Sequence, residues 1–301
     1  MSIYPQIVSE KTLRKVECQR LFHGRGHAYP GFEHINIDWF PPVVLITLYQ
    51  SVPDDWLAEL VNMLRRDVPE CRSVQVQYRF QPRAPFEVLW GEPITDLVVE
   101  EHGLKYNIQL GRSQNVGLFL DMANGRQWVK ENARDKKVLN LFAFTCGFSV
   151  AAIAGHAKSV LNVDNNSSVL KRGRENHRLN AHDMRSVNYD KLDIFKSFSR
   201  IKKRGPYGLI ICDPPTLQKG SVNIRRDYPK IIRRIPQLSE PGGYILLCLN
   251  SPHLTADFLQ EMVAQECEDC RLVTDIKPPE VFKEAMEGKG LKTLVYQYLP
   301  N

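Results

Sequence analysis

From residue 137 onward the chain alternates short apolar runs with segments of helical pattern, and this alternation constrains the fold more than any other feature. The apolar runs are 137–142, 159–164, 186–189, 207–213, 244–250 and 292–299. Between them, 147–154, 167–180, 226–238 and 256–267 read as helices, the second with an N-cap among Asn165, Asn166 and Ser167. Apolar strands separated by helices predict an α/β fold, Rossmann-like, with a parallel sheet covered on both faces. Ligands of such sheets bind beyond the carboxyl ends of the strands, near the point where strand order reverses. The strand ends are therefore where chemistry is sought.

A chain of 301 residues is long enough for two domains. Residues 43–49 read as a strand rich in β-branched side chains. Residues 54–66 carry Trp56, Leu57, Leu60, Val61 and Leu64 on one helical face. Residues 73–80 alternate as Val74, Val76, Tyr78 and Phe80, the pattern of a half-buried strand, and 101–121 read as a hairpin. The expected division is a small N-terminal α/β domain over 1–100, a linker over 101–124 and a ligand-binding domain over 125–301.

The first twenty residues are charged and lack an apolar leader, and the uncharged run 39–53 is too short to span a bilayer. Seven cysteines without framework spacing read as free thiols in a reducing, cytoplasmic setting, with no membrane partner. Cys267 and Cys270 form a lone C-x-x-C without a second ligand pair, so no metal is expected.

Four strand ends carry unusual residues. The first runs Phe142-Ala143-Phe144-Thr145-Cys146-Gly147 into a helix, a small-residue turn that offers backbone N–H groups to an anion. The second ends on Asp164, which lies 17 residues after Gly147 and suits ribose hydroxyls as well as it suits helix capping. Asp193 follows the third strand, where it could meet an adenine amino group or cap the next helix. The fourth strand, Leu209-Ile210-Ile211-Cys212, stops at Asp213-Pro214-Pro215. Proline cannot donate to a sheet ladder, and Pro214 biases Asp213 to an extended backbone, so the pair fixes an acceptor at the sheet edge. Neither G-x-x-x-x-G-K-[ST] nor G-x-G-x-x-G is present, which disfavours a P-loop nucleotidase and a nicotinamide enzyme.

The order Asn140 to Phe148, Asp164, Asp193 and Asp213-Pro214-Pro215-Thr216 resembles class I S-adenosylmethionine-dependent methyltransferases. More narrowly it is similar to bacterial large-subunit (23S) ribosomal RNA methyltransferases of the I and K/L type. Gly117 to Asp121 with Arg126, Arg20 to Gly24 with Tyr29 to Phe32, and Val98 to Leu104 resemble further segments of that family. The resemblance implies a seven-stranded class I sheet and S-adenosyl-L-methionine as cofactor. It implies cofactor contacts from Asp121, Arg126, Asn140, Phe142, Phe144, Thr145, Gly147, Phe148, Asp164, Asn165, Asp193 and Asp213. Asp213, Pro214, Pro215 and Asn250 would line the methyl-transfer site.

Type I relatives usually begin with a small RNA-binding PUA domain, for which this sequence leaves no room. RNA contact is then expected from residues 1–95 or from a partner. Methylation of pyrimidine C5 needs a cysteine nucleophile, and the matching position here is Asn250. A base nitrogen carries its own lone pair and needs positioning rather than covalent catalysis. The favoured reading is therefore transfer to a guanine nitrogen of ribosomal RNA. Cytosine C5, a protein or small-molecule substrate, and a non-catalytic binding protein that kept the fold stand as alternatives. Between Lys196 and Arg234 eleven Lys/Arg face two acids, which suits phosphate contacts as well as it suits solvated helix faces. Tyr228 and His253 could stack on an extruded base, and core or surface placement suits either at least as well.

Overall fold

The computed structural model describes residues 16–68, 70–215 and 222–301. Thr216, and Lys219 among the eleven basic residues counted above, lie outside the described residues. The chain divides into two compact units, one formed by residues up to Leu120 together with Glu280–Met286, the other by Asp121–Pro279 and Glu287–Asn301. This differs from the boundaries expected at 100 and 124. The hairpin falls with the first unit, and its alternating side chains Leu97, Val99, Tyr106 and Ile108 are buried.

In the first unit, β1 (Gln19–His23), β2 (Ile35–Phe40), β3 (Val43–Leu48), β4 (Ser73–Tyr78) and β5 (Phe86–Gly91) form one sheet in sequential order. The helix α1 (Asp54–Asp67) joins β3 to β4, the only parallel pair in that sheet, as a parallel connection requires. Its Leu57, Leu60, Val61 and Leu64 are buried with Ile37, Trp39, Ile46 and Val74 in one core. The sequence pattern of β4 predicts one solvated face. Both faces are covered instead, because Gln75 donates to Ser73 Oγ at 3.2 Å and to the Ile94 carbonyl at 2.8 Å. The hairpin β6 (Asp96–Glu101) and β7 (Leu104–Gln109) lies earlier than 101–121. Its turn residues His102 and Gly103 have φ of 50° and 74°, the paired left-handed geometry that suits a two-residue hairpin.

Residues 280–286 strap the first unit. Ala285 N–H donates to the Gly26 carbonyl at 2.7 Å, and the Phe282 ring lies 5.0 Å from the His23 ring with the Arg20 guanidinium 4.8 Å from its centroid. A side chain at Gly26 would place Cβ 1.8 Å from the Lys283 carbonyl oxygen, so only glycine fits beneath the strap.

The second unit contains α2 (Ala123–Asn132), β8 (Lys137–Leu141), α3 (Gly147–Ala154), β9 (Ser159–Asp164), α4 (Ser167–Leu179), β10 (Val187–Lys191), α5 (Phe198–Lys202), β11 (Tyr207–Cys212), α6 (Ile224–Ile232), α7 (Ile235–Leu238), β12 (Ser239–Leu249), α8 (Ala256–Glu266), β13 (Cys270–Asp275) and β14 (Lys292–Tyr298). The seven strands run in the order β10-β9-β8-β11-β12-β14-β13. The first five are mutually parallel, but β14 is antiparallel to both β12 and β13, so the sheet is mixed rather than all-parallel. The helix expected over 226–238 is two helices. Pro236 lacks an N–H and its ring would clash with the carbonyl of Ile232, where α6 stops.

All seven cysteines are free, and six are buried. Among the described residues no group of His, Cys, Asp and Glu could hold a metal, and no helix is long and apolar enough to cross a membrane.

Candidate active site

Strand order reverses between β8 and β11, which pair with Cys212 opposite Leu141, while Cys212 also faces Leu247 of β12. The residues that follow these strands therefore emerge side by side, with Asp213 between the loop after β8 and the end of β12. On the other flank Leu141 faces Val163, and Asp164 faces Lys191. The geometry thus brings the loop 142–147, Asp164, Asp193, Asp213 and Asn250 to one edge.

The loop after β8 has an unusual backbone. Phe142, Phe144 and Cys146 all have positive φ, at 57°, 47° and 62°. Each non-glycine residue there costs about 1–2 kcal/mol. Gly147 is not one of them and instead opens α3. The surrounding structure holds the shape. Ala143 N–H donates to the Val163 carbonyl at 3.1 Å, and Cys146 N–H to the Ala143 carbonyl at 2.7 Å. Phe144 N–H donates to Asp164 Oδ2 at 2.9 Å, and Asn176 of α4 donates to the Thr145 carbonyl at 2.9 Å. Gly173 of α4 leaves room for the Cys146 thiol, since a Cβ there would lie 2.2 Å from Sγ.

Asp164 uses its other oxygen to accept from Asn166 N–H at 2.9 Å, so one carboxylate joins the loops after β8 and β9. Each oxygen keeps a second lone pair for a ligand hydroxyl. Asn166 is the cap of α4, and Asn165 beside it is exposed. Asp193 caps the short turn that follows it, accepting from Phe195 N–H at 3.0 Å and Lys196 N–H at 3.3 Å.

Asp213 is the electrostatic centre of the edge. Burial and the nearby Asp121 carboxylate push its pKa up to about 7, against the opposing pull of the Arg126 guanidinium. Asp121 and Arg126, one preceding and one inside α2, thus share a field with Asp213, just past the end of β11. Pro214 is buried and Pro215 partly so, which fixes the turn. Asn250 is exposed at the end of β12. Beside it the buried Lys292 Nζ of β14 donates to the Ser251 carbonyl, and to that of Gly288 at 3.2 Å.

Three further residues named from the sequence have buried side chains. Asn140 is 1% exposed because its amide donates to Asn162 Oδ1 at 2.9 Å beneath the loop. The Thr145 side chain is buried, and Phe148 is buried against Gly125 of α2. Tyr228 does not stack on anything outside. It is fully buried, and its hydroxyl lies 3.2 Å from the Cys212 carbonyl and 3.0 Å from that of Cys248. It therefore pins the strand ends that carry Asp213 and Asn250. Tyr228, Asn176, Gly173 and Lys292 escape a motif search, although polar or missing side chains on buried helix and strand positions signal such roles.

The basic segment is partly neutralised from within. Asp190 pairs with Arg200 and Arg204, Asp227 with Arg226 and Lys230, Glu266 with Arg233, and Asp193 with Lys196. Arg225 and Arg234 lie over the rings of Phe258 and Phe198 at 4.7 and 5.5 Å, and Arg234 also donates to Gln237 Oε1 at 3.1 Å.

The S-adenosylmethionine-dependent methyltransferase family model matches residues 19–297. The chain belongs to that family. Among relatives of this methyltransferase, ribosomal RNA large subunit methyltransferase I of Erwinia tasmaniensis is 28% identical over 282 residues, which spans 90% of this chain and 70% of that protein. A candidate methyltransferase structure from Streptococcus mutans superposes with a TM-score of 0.85 at 24% identity, covering 96% of this chain and 77% of that one. SMU.776, solved in complex with SAH, gives a TM-score of 0.84 at 23% identity, with the same coverage. At these identities the structures establish the shared fold.

S-adenosylmethionine is the cofactor of this methyltransferase. The residues present fit it. With Asp213 ionised, Asp121, Arg126 and Asp213 sum to one negative charge, opposite to the cofactor's sulfonium, ammonium and carboxylate together. Asp164 and Asp193 offer further acceptors at the same edge.

Proposed function

We propose that this methyltransferase modifies a base of ribosomal RNA, at a guanine nitrogen. The ribosomal substrate is supported by the relatives named above. The nitrogen target is supported chiefly by one observation: no thiol is available at the strand edge. Cys212 and Cys248 are wholly buried, and burial drives both thiols far above their usual pKa, while Asn250 stands exposed where a nucleophilic cysteine would be needed.

When bound, S-adenosylmethionine supplies an electrophilic methyl group. This chain's residues supply position and a proton acceptor. Asp213 accepts the N–H of the base and takes its proton as the nitrogen is alkylated, a task matched by a carboxyl pKa near 7. Asn250 orients the base edge from the neighbouring strand. Asp121 and Arg126 hold the methionine end, Phe142 and Phe144 line it, and Asp164, Asn165 and Asp193 take the ribose and adenine. The first unit serves as the substrate-recognition half. Arg225, Arg234 and their neighbours contribute phosphate contacts.

The test is mass spectrometry of nucleosides from ribosomal RNA of a strain lacking the gene. Loss of one methylguanosine is the expected result. Loss of 5-methylcytidine instead overturns the nitrogen target, and an unchanged profile overturns the ribosomal substrate.

A further inference from the structure

The first unit holds a cleft of about 530 Å³ between the start of α1 and the turn joining β4 to β5. Three aromatic side chains, Tyr78, Phe80 and Phe86, line it together with two carboxylates, Asp54 and Glu87, and its wall carries no Lys or Arg. Tyr78 and Phe80 meet edge to face at 6.0 Å, and Phe80 is 41% exposed, an open ring surface. Tyr78 Oη donates to Glu87 Oε2 at 2.8 Å, a bond that does not use Oε1 of this cleft-lining carboxylate. Both carboxylates act on the same point, because burial, Glu87 and Asp54 together push the Tyr78 phenol up to about 12.

This chemistry selects by charge. The amino end of α1 contributes a partial positive charge of roughly one half. Asp54 and Asp55 in its first turn more than cancel it, so an anion gains nothing there. The nearby Arg79 is turned away, donating to the Gln114 carbonyl at 2.9 Å. A phosphodiester would meet two carboxylates and no cation. A guanidinium or ammonium would meet ring faces, whose quadrupoles attract cations, and carboxylates that complete its hydrogen bonds.

We propose that this cleft binds an arginine or lysine side chain presented by a basic protein partner, with Phe80 and Phe86 as the ring faces and Glu87 and Asp54 as the counter-charges. The first unit then recognises protein as well as nucleic acid. The inference is independent of which atom the second unit methylates.

The test uses the full chain and the tripeptide acetyl-Ala-Arg-Ala-amide, titrated by NMR against the same peptide with citrulline in place of arginine. Citrulline keeps the shape and removes the charge. Saturable binding of the arginine peptide, at least about tenfold tighter than citrulline, is expected, equivalent to about 1.4 kcal/mol. Glu87→Gln, which keeps an acceptor for Tyr78, and Phe80→Ala should each abolish that preference. Equal binding of the two peptides, or no binding, overturns the proposal. Preferential binding of cytidine monophosphate at the same resonances overturns it in favour of an RNA contact. The wild-type comparison needs no variant to fold.

Discussion

The side-chain amide of Asn176 donates to the carbonyl of Thr145 at 2.9 Å, and Asn176 is fully buried where it does so. This bond ties α4 to the middle of a loop with three left-handed residues, Phe142, Phe144 and Cys146. Removing it withdraws a buried donor from a carbonyl in the strained loop. Asn176→Ala should lower stability by about 1–3 kcal/mol. It should also raise the KM for S-adenosylmethionine several-fold with kcat little changed, which steady-state kinetics will separate.

Gly173 and Cys146 should behave as one unit. Gly173→Ala drives a methyl group into the Cys146 thiol and should cost about 1–3 kcal/mol. Cys146→Gly removes that thiol and places glycine at a φ of 62°, where it is unstrained. The double variant should recover most of the loss. Urea titrations of all four proteins give the coupling, and simple additivity would show that the contact is not the cause.

Tyr228→Phe deletes only the hydroxyl shared by the carbonyls of Cys212 and Cys248. Stability should fall by about 1–2 kcal/mol. The larger effect should be on kcat, because Asp213 and Asn250 follow those carbonyls. A variant with unchanged kcat would confine Tyr228 to packing.

Asp213 sets opposite pH trends for stability and rate. Its folded pKa near 7 lies above the ordinary carboxylate value of 3.8. The native state therefore binds the proton more tightly, and this group's contribution to stability is lost as pH rises from about 4 to about 7. Asp213→Asn should match the wild type in thermal stability near pH 4 and exceed it at pH 8. The rate of the wild type should run the other way, rising toward a midpoint near pH 7 as the acceptor ionises.

The two key acids should separate in kinetics. Asp213→Asn should abolish transfer while leaving cofactor affinity within a few fold. Asp164→Ala should mainly weaken cofactor binding, and it should also destabilise the protein because Phe144 and Asn166 lose their acceptor. Calorimetry with S-adenosylmethionine measures both, and equal losses of affinity would contradict the division of roles.

The second unit was legible because each parallel strand writes its own apolar run, and ladder pairing then carries Asp164, Asp193 and Asp213 to one edge. The antiparallel return of β14 was not legible, since a buried strand reads the same in either direction. The break between α6 and α7 required weighing Pro236 against a continuous apolar face. In the site, acids at strand ends announced themselves by position. Tyr228 went to the core, where its hydroxyl meets two carbonyls, because a polar group on an apolar element is equally suited to a ligand and to a buried backbone partner. The loop hid its strain for a related reason: left-handed backbone is usually marked by glycine, and here two phenylalanines and a cysteine adopt it.

The strap formed by residues 280–286 bears on how such a protein can be inherited. The first unit is assembled from two stretches of chain, and the second stretch interrupts the last two strands of the sheet in the other unit. No single cut in the gene yields that half intact. A fragment ending at Leu120 would leave Arg20, His23 and Gly26 without the Phe282, Glu284 and Ala285 that cover them. Recombination at one junction would therefore move the residues up to Leu120 without the strap that covers them.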